Sequence, residues 1–269
     1  MSRDKHSKII EIMESKNVVS VKELAQLLSC TDMTVRRNLD ELQQMGFVRR
    51  EHGYATLQTP AKSTDYYKEI EENVREKKAI ATIAMTFLKP DMSICLDSGT
   101  TIQQLVNLIP DHFPLSVITP SLVAAMSLCD RKDVQVLLPG GFVHHSNRTL
   151  LLNDLGGLKQ YKVDLAFISC RSLRIPEGTF EHTQLLTDTK RSLASIADRR
   201  ILLLDYSKWG VNSICNSVRL ADIDLIITDT RAPEDQVRQA ADLGKELLIV
   251  NPETTRIEAH FNAPNTLRR

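Results

Sequence analysis

The spacing of hydrophobic positions divides the chain into two parts near residue 60. Before that point, apolar residues recur at intervals of three and four, which predicts short amphipathic helices. The first of these helical faces contains Ile9, Ile10, Ile12 and Met13. After residue 60, runs of β-branched residues alternate with helical segments. This change of period predicts an α/β fold for the second part.

Two more helices and a hairpin are predicted in the first part. Ser20 and Glu23 form a capping-box pattern, in which both side chains satisfy free N–H groups at a helix start. Thr31 is predicted to cap the third helix, and Gly46 to end it. The buried stripe of this third helix falls at i, i+4 and i+7: Val35, Leu39 and Leu42. Two short strands are then predicted around a turn at Gly53: Phe47 to Arg50 and Tyr54 to Leu57.

Three helices followed by a hairpin are typical of a winged helix-turn-helix. The face opposite the buried stripe presents Met33, Arg36, Arg37 and Asp40, with Thr34 on its flank. Such a helix fits the major groove of DNA, while basic wing residues contact the adjacent backbone. Those wing residues are Arg49, Arg50 and His52. A three-helix interaction module with solvated arginines is the alternative at this stage.

The second part begins with a predicted charged helix, Glu71 through Met85, and continues as a β/α alternation. The predicted strands are Met92–Leu96, Ser116–Ile118, Val134–Leu138, Asp164–Ser169, Ile201–Leu204, Leu225–Thr228 and Glu246–Val250. Predicted helices between them include Thr101–Leu108, Leu122–Leu128 and Thr183–Ala197. This alternation predicts an open, mostly parallel sheet covered by helices on both sides.

Polar residues at the carboxyl ends of these strands form a candidate ligand site, because open α/β sheets bind ligands there. Ser98, Thr100 and Thr101 place hydroxyls beside free helix N–H groups, and Gly99 permits close backbone approach, as in a phosphate cradle. A plain strand-to-helix turn with Ser/Thr caps is the alternative. Lys190 and Lys208 are candidates for the positive charge that a phosphate ester needs, although a surface lysine is usually solvated.

Composition narrows the classes of protein. The chain has 269 residues, 42% of them hydrophobic and 25% charged, and its 34 basic side chains are balanced by 34 acidic ones. Residues 1–60 contain nine Lys or Arg against eight Asp or Glu, so a basic nucleic-acid-binding tail is excluded, whereas a small module with a few arginines on one face is not. Even the longest aliphatic stretches, such as Ile201 to Leu204, are too short for a membrane helix. Five cysteines without a close pair argue against a disulfide scaffold or a zinc knuckle. We therefore expect a cytoplasmic protein without a membrane partner.

Two sequence runs in the first part resemble the DNA-binding domain of the DeoR family of bacterial transcription regulators. They extend over Thr31–Leu42 and Gly46–Ala55, with departures from the family pattern at Asn38 and Tyr54. The resemblance implies contact with double-stranded operator DNA. The residues predicted to make that contact are Thr31, Met33, Thr34, Arg36, Arg37, Asn38, Arg49, Arg50, His52 and Tyr54.

The second part resembles the effector domain of the same family, whose fold is that of ribose-phosphate isomerases and CoA transferases. The matching elements include Asp97–Thr101, Val117–Thr119, Gly140–Gly141, Lys190–Arg191 and Asp205–Lys208. The resemblance implies binding of a phosphorylated sugar or a similar metabolite. The predicted effector-binding residues are Asp97, Ser98, Gly99, Thr100, Thr101, Thr119, Gly140, Gly141, Lys190 and Lys208.

These patterns predict four segments: a winged helix-turn-helix over 1–57, a linker over 58–74, an effector and oligomerisation domain over 75–262, and a tail over 263–269. The main hypothesis is a transcription regulator, a repressor of a carbohydrate-metabolism operon that works as a dimer or tetramer without a cofactor. The alternative is an isomerase-like enzyme using Asp97 or Asp205 as base. A metal sensor at His144–His145 is a weaker hypothesis, because adjacent side chains diverge; we expect no metal.

Overall fold

The computed structural model of the chain describes residues 9, 12–13, 16, 18–44, 48–51, 53–57 and 66–262. The chain divides near residue 63 into two compact units, which are described in turn. Among the described helices, none is long and apolar enough to cross a membrane.

The first unit contains two helices and a small sheet in its described part. The elements are β1 (Val18–Ser20), α1 (Val21–Leu27), α2 (Asp32–Gln44), β2 (Val48–Glu51) and β3 (Tyr54–Leu57). The predicted capping by Ser20 is confirmed, since its hydroxyl accepts the Glu23 N–H at 3.1 Å. The predicted hairpin is also present, with Glu51 opposite Tyr54. Strand β1, which the sequence did not reveal, pairs antiparallel with β3.

The core of the first unit agrees with the predicted helical faces. Val35, Leu39 and Leu42 of α2 are at most 2% exposed, and Ile9 and Met13 pack into the same cluster. Residues Ile10, Gly46 and His52, which also entered the predictions, lie outside the described residues.

The second unit is built on a sheet that has eight strands among the described residues: β4 (Ser93–Leu96), β5 (Leu115–Ile118), β6 (Val134–Leu137), β9 (Val163–Ile168), β12 (Ala197–Leu203), β14 (Leu225–Asp229), β15 (Glu246–Asn251) and β16 (Arg256–Phe261). Their order across the sheet is β16-β15-β14-β12-β9-β4-β5-β6. All adjacent strands in this order are parallel except the last pair, in which the edge strand β16 is antiparallel to β15. The mostly parallel sheet is therefore confirmed.

Helices and smaller strands surround this sheet. The helices are α3 (Tyr66–Glu71), α4 (Val74–Met85), α5 (Thr100–Leu108), α6 (Leu122–Leu128), α7 (Gln184–Ser195) and α8 (Glu234–Asp242). The smaller strands form a hairpin of β7 (Gly141–His144) and β8 (Thr149–Leu152), and a sheet of β10 (Ser172–Arg174), β11 (Gly178–Glu181) and β13 (Cys215–Arg219). Among its described residues, the second unit has two hydrophobic clusters, and successive residues of β4 belong to different ones: Ile94 and Leu96 lie in the first cluster and Cys95 lies in the second. Because side chains alternate along a strand, the sheet has apolar cover on both faces.

Two predicted helices have different bounds. The single helix expected over Glu71–Met85 is interrupted at Asn73, whose left-handed φ of 51° separates α3 from α4. Helix α3 therefore lies inside the segment predicted as a linker over 58–74. The helix expected over Thr183–Ala197 ends at Ser195, since Ala197 already pairs with Val163 as the first residue of β12.

Candidate functional site

A cleft lies at the carboxyl ends of β4, β9 and β12 in the second unit. These three strands are neighbours in the sheet, so the residues that follow them converge. The cleft is lined by Tyr66, Glu69, Ser98, Gly99, Thr100, Thr101, Asn147, Ser169, Cys170, Arg171, Glu181, His182, Leu203, Leu204, Lys190 and Lys208. Its position agrees with the general rule for ligand sites in open α/β sheets.

The turn from β4 into α5 is the most constrained part of the cleft. Gly99 has a φ of 142°, and a Cβ added there would lie 2.6 Å from the Ser169 hydroxyl oxygen. Only glycine fits this position without displacing Ser169. The same Ser169 hydroxyl donates to the Ser98 carbonyl at 2.7 Å, which fixes the turn against the end of β9. Since Gly99 has no side chain to cap α5, the first N–H groups of this helix remain suited to an anion.

Beneath the turn lies a buried group of three charges. The Lys190 ammonium donates to Asp97 Oδ2 and lies 3.3 Å from Glu181 Oε1, and all three side chains are at most 6% exposed. Lys190 also donates to the Ser169 carbonyl at 2.8 Å. Asp97 in turn accepts the N–H groups of Ser98, at 2.7 Å, and Ser169, at 3.0 Å. One cation therefore joins two carboxylates and the ends of two strands.

The environment alters the protonation of these groups. Burial raises the pKa of Glu181, although Lys190 opposes that change. Burial alone would lower the pKa of Lys190, but the charges of Asp97 and Glu181 outweigh it and raise that pKa above its ordinary value. Lys190 is thus a fixed cation whose charge is already matched inside the protein. Burial also raises the pKa of the Cys170 thiol to about 12, so this cysteine is not a thiolate near neutral pH.

A second charged group lies where α3 meets the cleft. Arg171 follows β9 and donates to Glu69 Oε1 at 3.1 Å. Lys208 follows β12 and contacts the same oxygen at 3.5 Å. The Lys77 ammonium donates to the backbone carbonyl of Glu69. Three cationic side chains from different elements therefore surround one residue of α3.

The cleft contains six of the predicted effector-binding residues: Ser98, Gly99, Thr100, Thr101, Lys190 and Lys208. Asp97 lies below it as the partner of Lys190. Thr119, Gly140 and Gly141 do not line it. Thr119 is fully buried and accepts the Ser121 N–H at 3.1 Å, and a Cβ on Gly141 would lie 2.2 Å from the Leu151 carbonyl oxygen across the β7–β8 hairpin. Thr119 and Gly141 therefore maintain local structure, and Gly140 is an exposed residue outside the cleft lining.

The rule for strand ends already includes Ser169 and Cys170, which lie at the end of the predicted strand Asp164–Ser169, and both line the cleft. Sequence patterns missed several other residues of the cleft. No comparable signal marks Tyr66, Glu69, Asn147, Arg171, Glu181 or His182. Glu181 and Arg171 belong to or adjoin the small sheet of β10, β11 and β13, and Tyr66 and Glu69 belong to α3, elements that the hydrophobic period did not predict.

The outer face of α2 is the candidate DNA-contacting surface of the first unit. The predicted N-cap is confirmed, since the Thr34 N–H donates to Thr31 Oγ1 at 3.3 Å. Met33 is 80% exposed, and Arg36 is exposed on the same face. The Arg37 side chain is 77% exposed, with Glu41 at 3.3 Å on the next turn. The guanidinium groups of α2 are therefore accessible from solvent.

The remaining predicted DNA-contacting residues differ in their accessibility. Asn38 does not lie on this surface: it is 6% exposed and its amide donates to the Thr34 carbonyl at 2.7 Å. Arg49 and Tyr54 are exposed on the hairpin. Arg50 pairs with Asp40, an ion pair that joins β2 to α2.

In the described part of the chain, no group of three or more His, Cys, Asp or Glu side chains is arranged to hold a metal ion. Of the two adjacent histidines, His144 is half-buried and His145 is exposed.

Comparison with known proteins assigns both units. Residues 5–61 match the DeoR-like helix-turn-helix domain, and residues 72–230 match the DeoR C terminal sensor domain. The chain is 32% identical over 249 residues to the HTH-type transcriptional regulator GolR of Listeria innocua, covering 91% of this chain and 98% of that protein. It is 25% identical over 230 residues to the glycerol-3-phosphate regulon repressor of Escherichia coli, covering 85% of this chain and 91% of that protein.

Among solved structures, ribose 5-phosphate isomerase A from Methanocaldococcus jannaschii is 20% identical with a TM-score of 0.37, covering 49% of this chain and 53% of that one. This similarity is too distant to support an enzymatic activity, and the relatives that cover nearly the whole chain are regulators, so the isomerase hypothesis is set aside. With both domain models matched in order and a full-length relative above 30% identity, the chain belongs to the DeoR family of DNA-binding transcription regulators.

Proposed function

We propose that this regulator represses a carbohydrate-metabolism operon and that a phosphorylated sugar or related metabolite controls it by binding the cleft of the second unit. The observation that supports an anionic ligand most directly is the turn at Gly99, where no side chain in the described part of the chain caps the first N–H groups of α5 and where Ser98, Thr100 and Thr101 line the cleft. A relative of the chain is the glycerol-3-phosphate regulon repressor, whose name points to a phosphorylated three-carbon compound.

On the DNA side, we propose that α2 enters the major groove with Arg36 and Arg37, and that the hairpin places Arg49 along the backbone. Arg50 contributes less, because Asp40 already neutralises it. A single short helix contacts too few base pairs for operator specificity, so we further propose a dimer or tetramer, located in the cytoplasm with its DNA.

A thermal-shift screen of sugar phosphates tests the effector part of this proposal. A ligand that binds the folded state raises the melting temperature in proportion to its affinity and concentration. The variant Thr101→Asp adds a carboxylate at the start of α5, and repulsion between like charges should abolish the shift. Thr254→Asp, on an exposed residue, adds the same charge elsewhere and should behave as wild type.

Because Thr101 is 5% exposed, the melting temperature and circular dichroism of the Thr101→Asp variant are measured first. If that variant does not fold, Thr101→Val removes the hydroxyl while keeping the shape of the side chain. Failure of every sugar phosphate to stabilise wild type, or an unchanged shift in a folded Thr101→Asp variant, would refute the proposed effector site.

A further inference from the structure

Glu69 occupies the part of the cleft where an anionic group of a ligand would find its cations. Its Oε1 atom lies 3.1 Å from the Arg171 guanidinium and 3.5 Å from the Lys208 ammonium. The three side chains are between 19% and 26% exposed, so the group is reachable from solvent and yet partly desolvated. A carboxylate from the protein itself therefore satisfies this pair of cations.

Two buried nitrogen atoms that make no hydrogen bond within the described part of the chain also line this part of the cleft. Among the described residues, buried Nε of Arg171 and buried Nε2 of His182 have no hydrogen-bond partner. Both residues line the cleft. A buried polar atom without a partner is costly, so a ligand oxygen that reaches it gains affinity. Phosphate and carboxylate groups supply several strong acceptor oxygens and match the geometry of a guanidinium.

This cation pair is separate from the turn at Gly99. The turn follows β4, Arg171 follows β9 and Lys208 follows β12, in the sheet order β12-β9-β4. Neighbouring strands are about 4.8 Å apart, so the two outer strand ends are separated by roughly 10 Å. That span is comparable to an extended phosphorylated hexose. One ligand can therefore place one end at the turn and the other at Arg171 and Lys208.

Lys190 does not provide a third anchor for the ligand, because Asp97 and Glu181 already neutralise it. An uncharged end of a ligand would leave the pairing of Glu69 with Arg171 and Lys208 intact. A negatively charged end would instead exchange with the Glu69 carboxylate, since it brings the same charge to the same cations.

We propose that Arg171 and Lys208 form a second anion subsite, for which Glu69 competes, and that the effector is doubly anionic: a sugar phosphate bearing a second phosphate or a carboxylate at its other end. This inference rests on the proposed function, since it assumes that the cleft is the effector site. It narrows the ligand class from sugar phosphates in general to phosphorylated sugar acids and sugar bisphosphates.

The test compares matched ligand pairs by isothermal titration calorimetry on the full chain. One pair is 6-phosphogluconate and sorbitol 6-phosphate, two open-chain compounds that carry a carboxylate and a CH2OH group, respectively, at C1. The other is fructose 1,6-bisphosphate and fructose 6-phosphate, which differ in a phosphate. We expect wild type to bind at least one doubly anionic member about tenfold more tightly than its partner, the order expected for one added charge-assisted contact. The pair that shows the preference identifies the second group.

Variants then assign that preference to the subsite. Glu69→Gln removes the competing charge and should tighten the doubly anionic ligand roughly fivefold or more, with little effect on its partner. Arg171→Gln should erase the preference, and Lys208→Gln provides the same test if Arg171→Gln does not fold. Glu71→Gln, exposed on the same helix, changes the net charge equally and should behave as wild type.

Equal affinity of wild type for both members of each pair would overturn the inference while leaving the proposed function in place. Equal tightening of both members by Glu69→Gln would also overturn it, since that result indicates a general electrostatic effect. Absence of binding by all four compounds in every variant overturns it as well. The proposed effector site itself is refuted by different results: no ligand in the wider screen of sugar phosphates, or an unchanged thermal shift in a folded Thr101→Asp variant.

Discussion

Replacing Lys190 by methionine removes the ammonium group that lies between two buried carboxylates. Asp97 and Glu181 are 1% and 4% exposed in their side chains, and Lys190 is 6% exposed. Methionine approximates the length and volume of the aliphatic part of lysine, so the packing changes little while the positive charge is lost. Two carboxylates then share a site from which water is largely excluded.

The expected loss of unfolding free energy follows from this geometry. Removing one partner of a buried ion pair leaves an uncompensated charge and costs about 3–5 kcal/mol. Protonation of one carboxylate limits the loss, and Glu181 is the group to protonate, since burial already raises its pKa. In the variant, folding therefore favours the protonated acid. Its stability deficit relative to wild type should grow as the pH rises from about 5 to 8 and shrink as the pH falls.

Urea denaturation followed by circular dichroism measures this deficit at several pH values. Lys132→Met, on an exposed lysine of the same unit, is the control and should change stability by less than about 0.5 kcal/mol. The double variant Lys190→Met/Glu181→Gln removes one of the two carboxylates and should recover about 1–2 kcal/mol. A Lys190→Met deficit below about 1 kcal/mol, or one that does not depend on pH, would refute the description of Lys190 as the compensating charge.

Three further perturbations test other parts of the molecule. Arg37→Ala should weaken binding to an operator selected from random DNA by about 1–3 kcal/mol in a gel-shift titration. Arg238→Ala, on an exposed residue of the second unit, should bind as wild type, and equal operator affinity of the two variants would exclude Arg37 from the interface. Gly99→Ala should lower the free energy of unfolding by about 1–3 kcal/mol in urea denaturation, because its Cβ meets Ser169. Gly244→Ala is the control, since φ is also positive there but no atom of the described residues lies within 4 Å of the added Cβ, and an equal loss in both variants would show that the contact with Ser169 is unimportant. Burial, followed by the charges of His145 and His182, lowers the pKa of His144 below its ordinary 6.5, so the unfolded chain binds the proton more readily than the folded one. The free energy of unfolding should therefore fall as the pH drops below about 6.5, by at most about 1.4 kcal/mol per pH unit for this group. His144→Gln should make that fall less steep in urea denaturation, and an unchanged dependence on pH would contradict the role given to His144.

The elements that the sequence predicted are those whose hydrophobic period is regular. Helix α2 has Val35, Leu39 and Leu42 in its core as expected. By contrast, β12 begins at Ala197, four residues before the predicted start at Ile201. Its first half contains Arg199 and Arg200, which pair with Glu246 and Asp224. Charged residues satisfied by neighbouring elements do not show the apolar pattern of a buried strand, so such a strand start is missed.

The turn at Gly99 was predictable because all of its features are local. Its glycine, hydroxyl residues and helix start lie within five consecutive positions, Asp97–Thr101. The distribution of charge around it was not predictable by the same means. Lys190 and Asp97 are separated by 93 residues, so the sequence presents them as two independent ligand candidates, whereas in the fold each neutralises the other.

Coulomb energy depends on separation in space, so a candidate cation can be assigned to a ligand only after its protein partners are known. By that criterion Lys190 and Lys208, which look equivalent in the sequence, differ in kind. The Lys190 side chain is 6% exposed and contacts the carboxylates of Asp97 and Glu181. The Lys208 side chain is 19% exposed and contacts one carboxylate oxygen, Glu69 Oε1, which Arg171 also contacts. In the proposed exchange, a negatively charged ligand replaces Glu69 beside Arg171 and Lys208, whereas replacing Asp97 would break its pairing with Lys190 and its two backbone hydrogen bonds. We therefore propose Lys208 and Arg171 as the cations available for recognition, and we propose that Lys190 holds the turn in the shape that recognition requires.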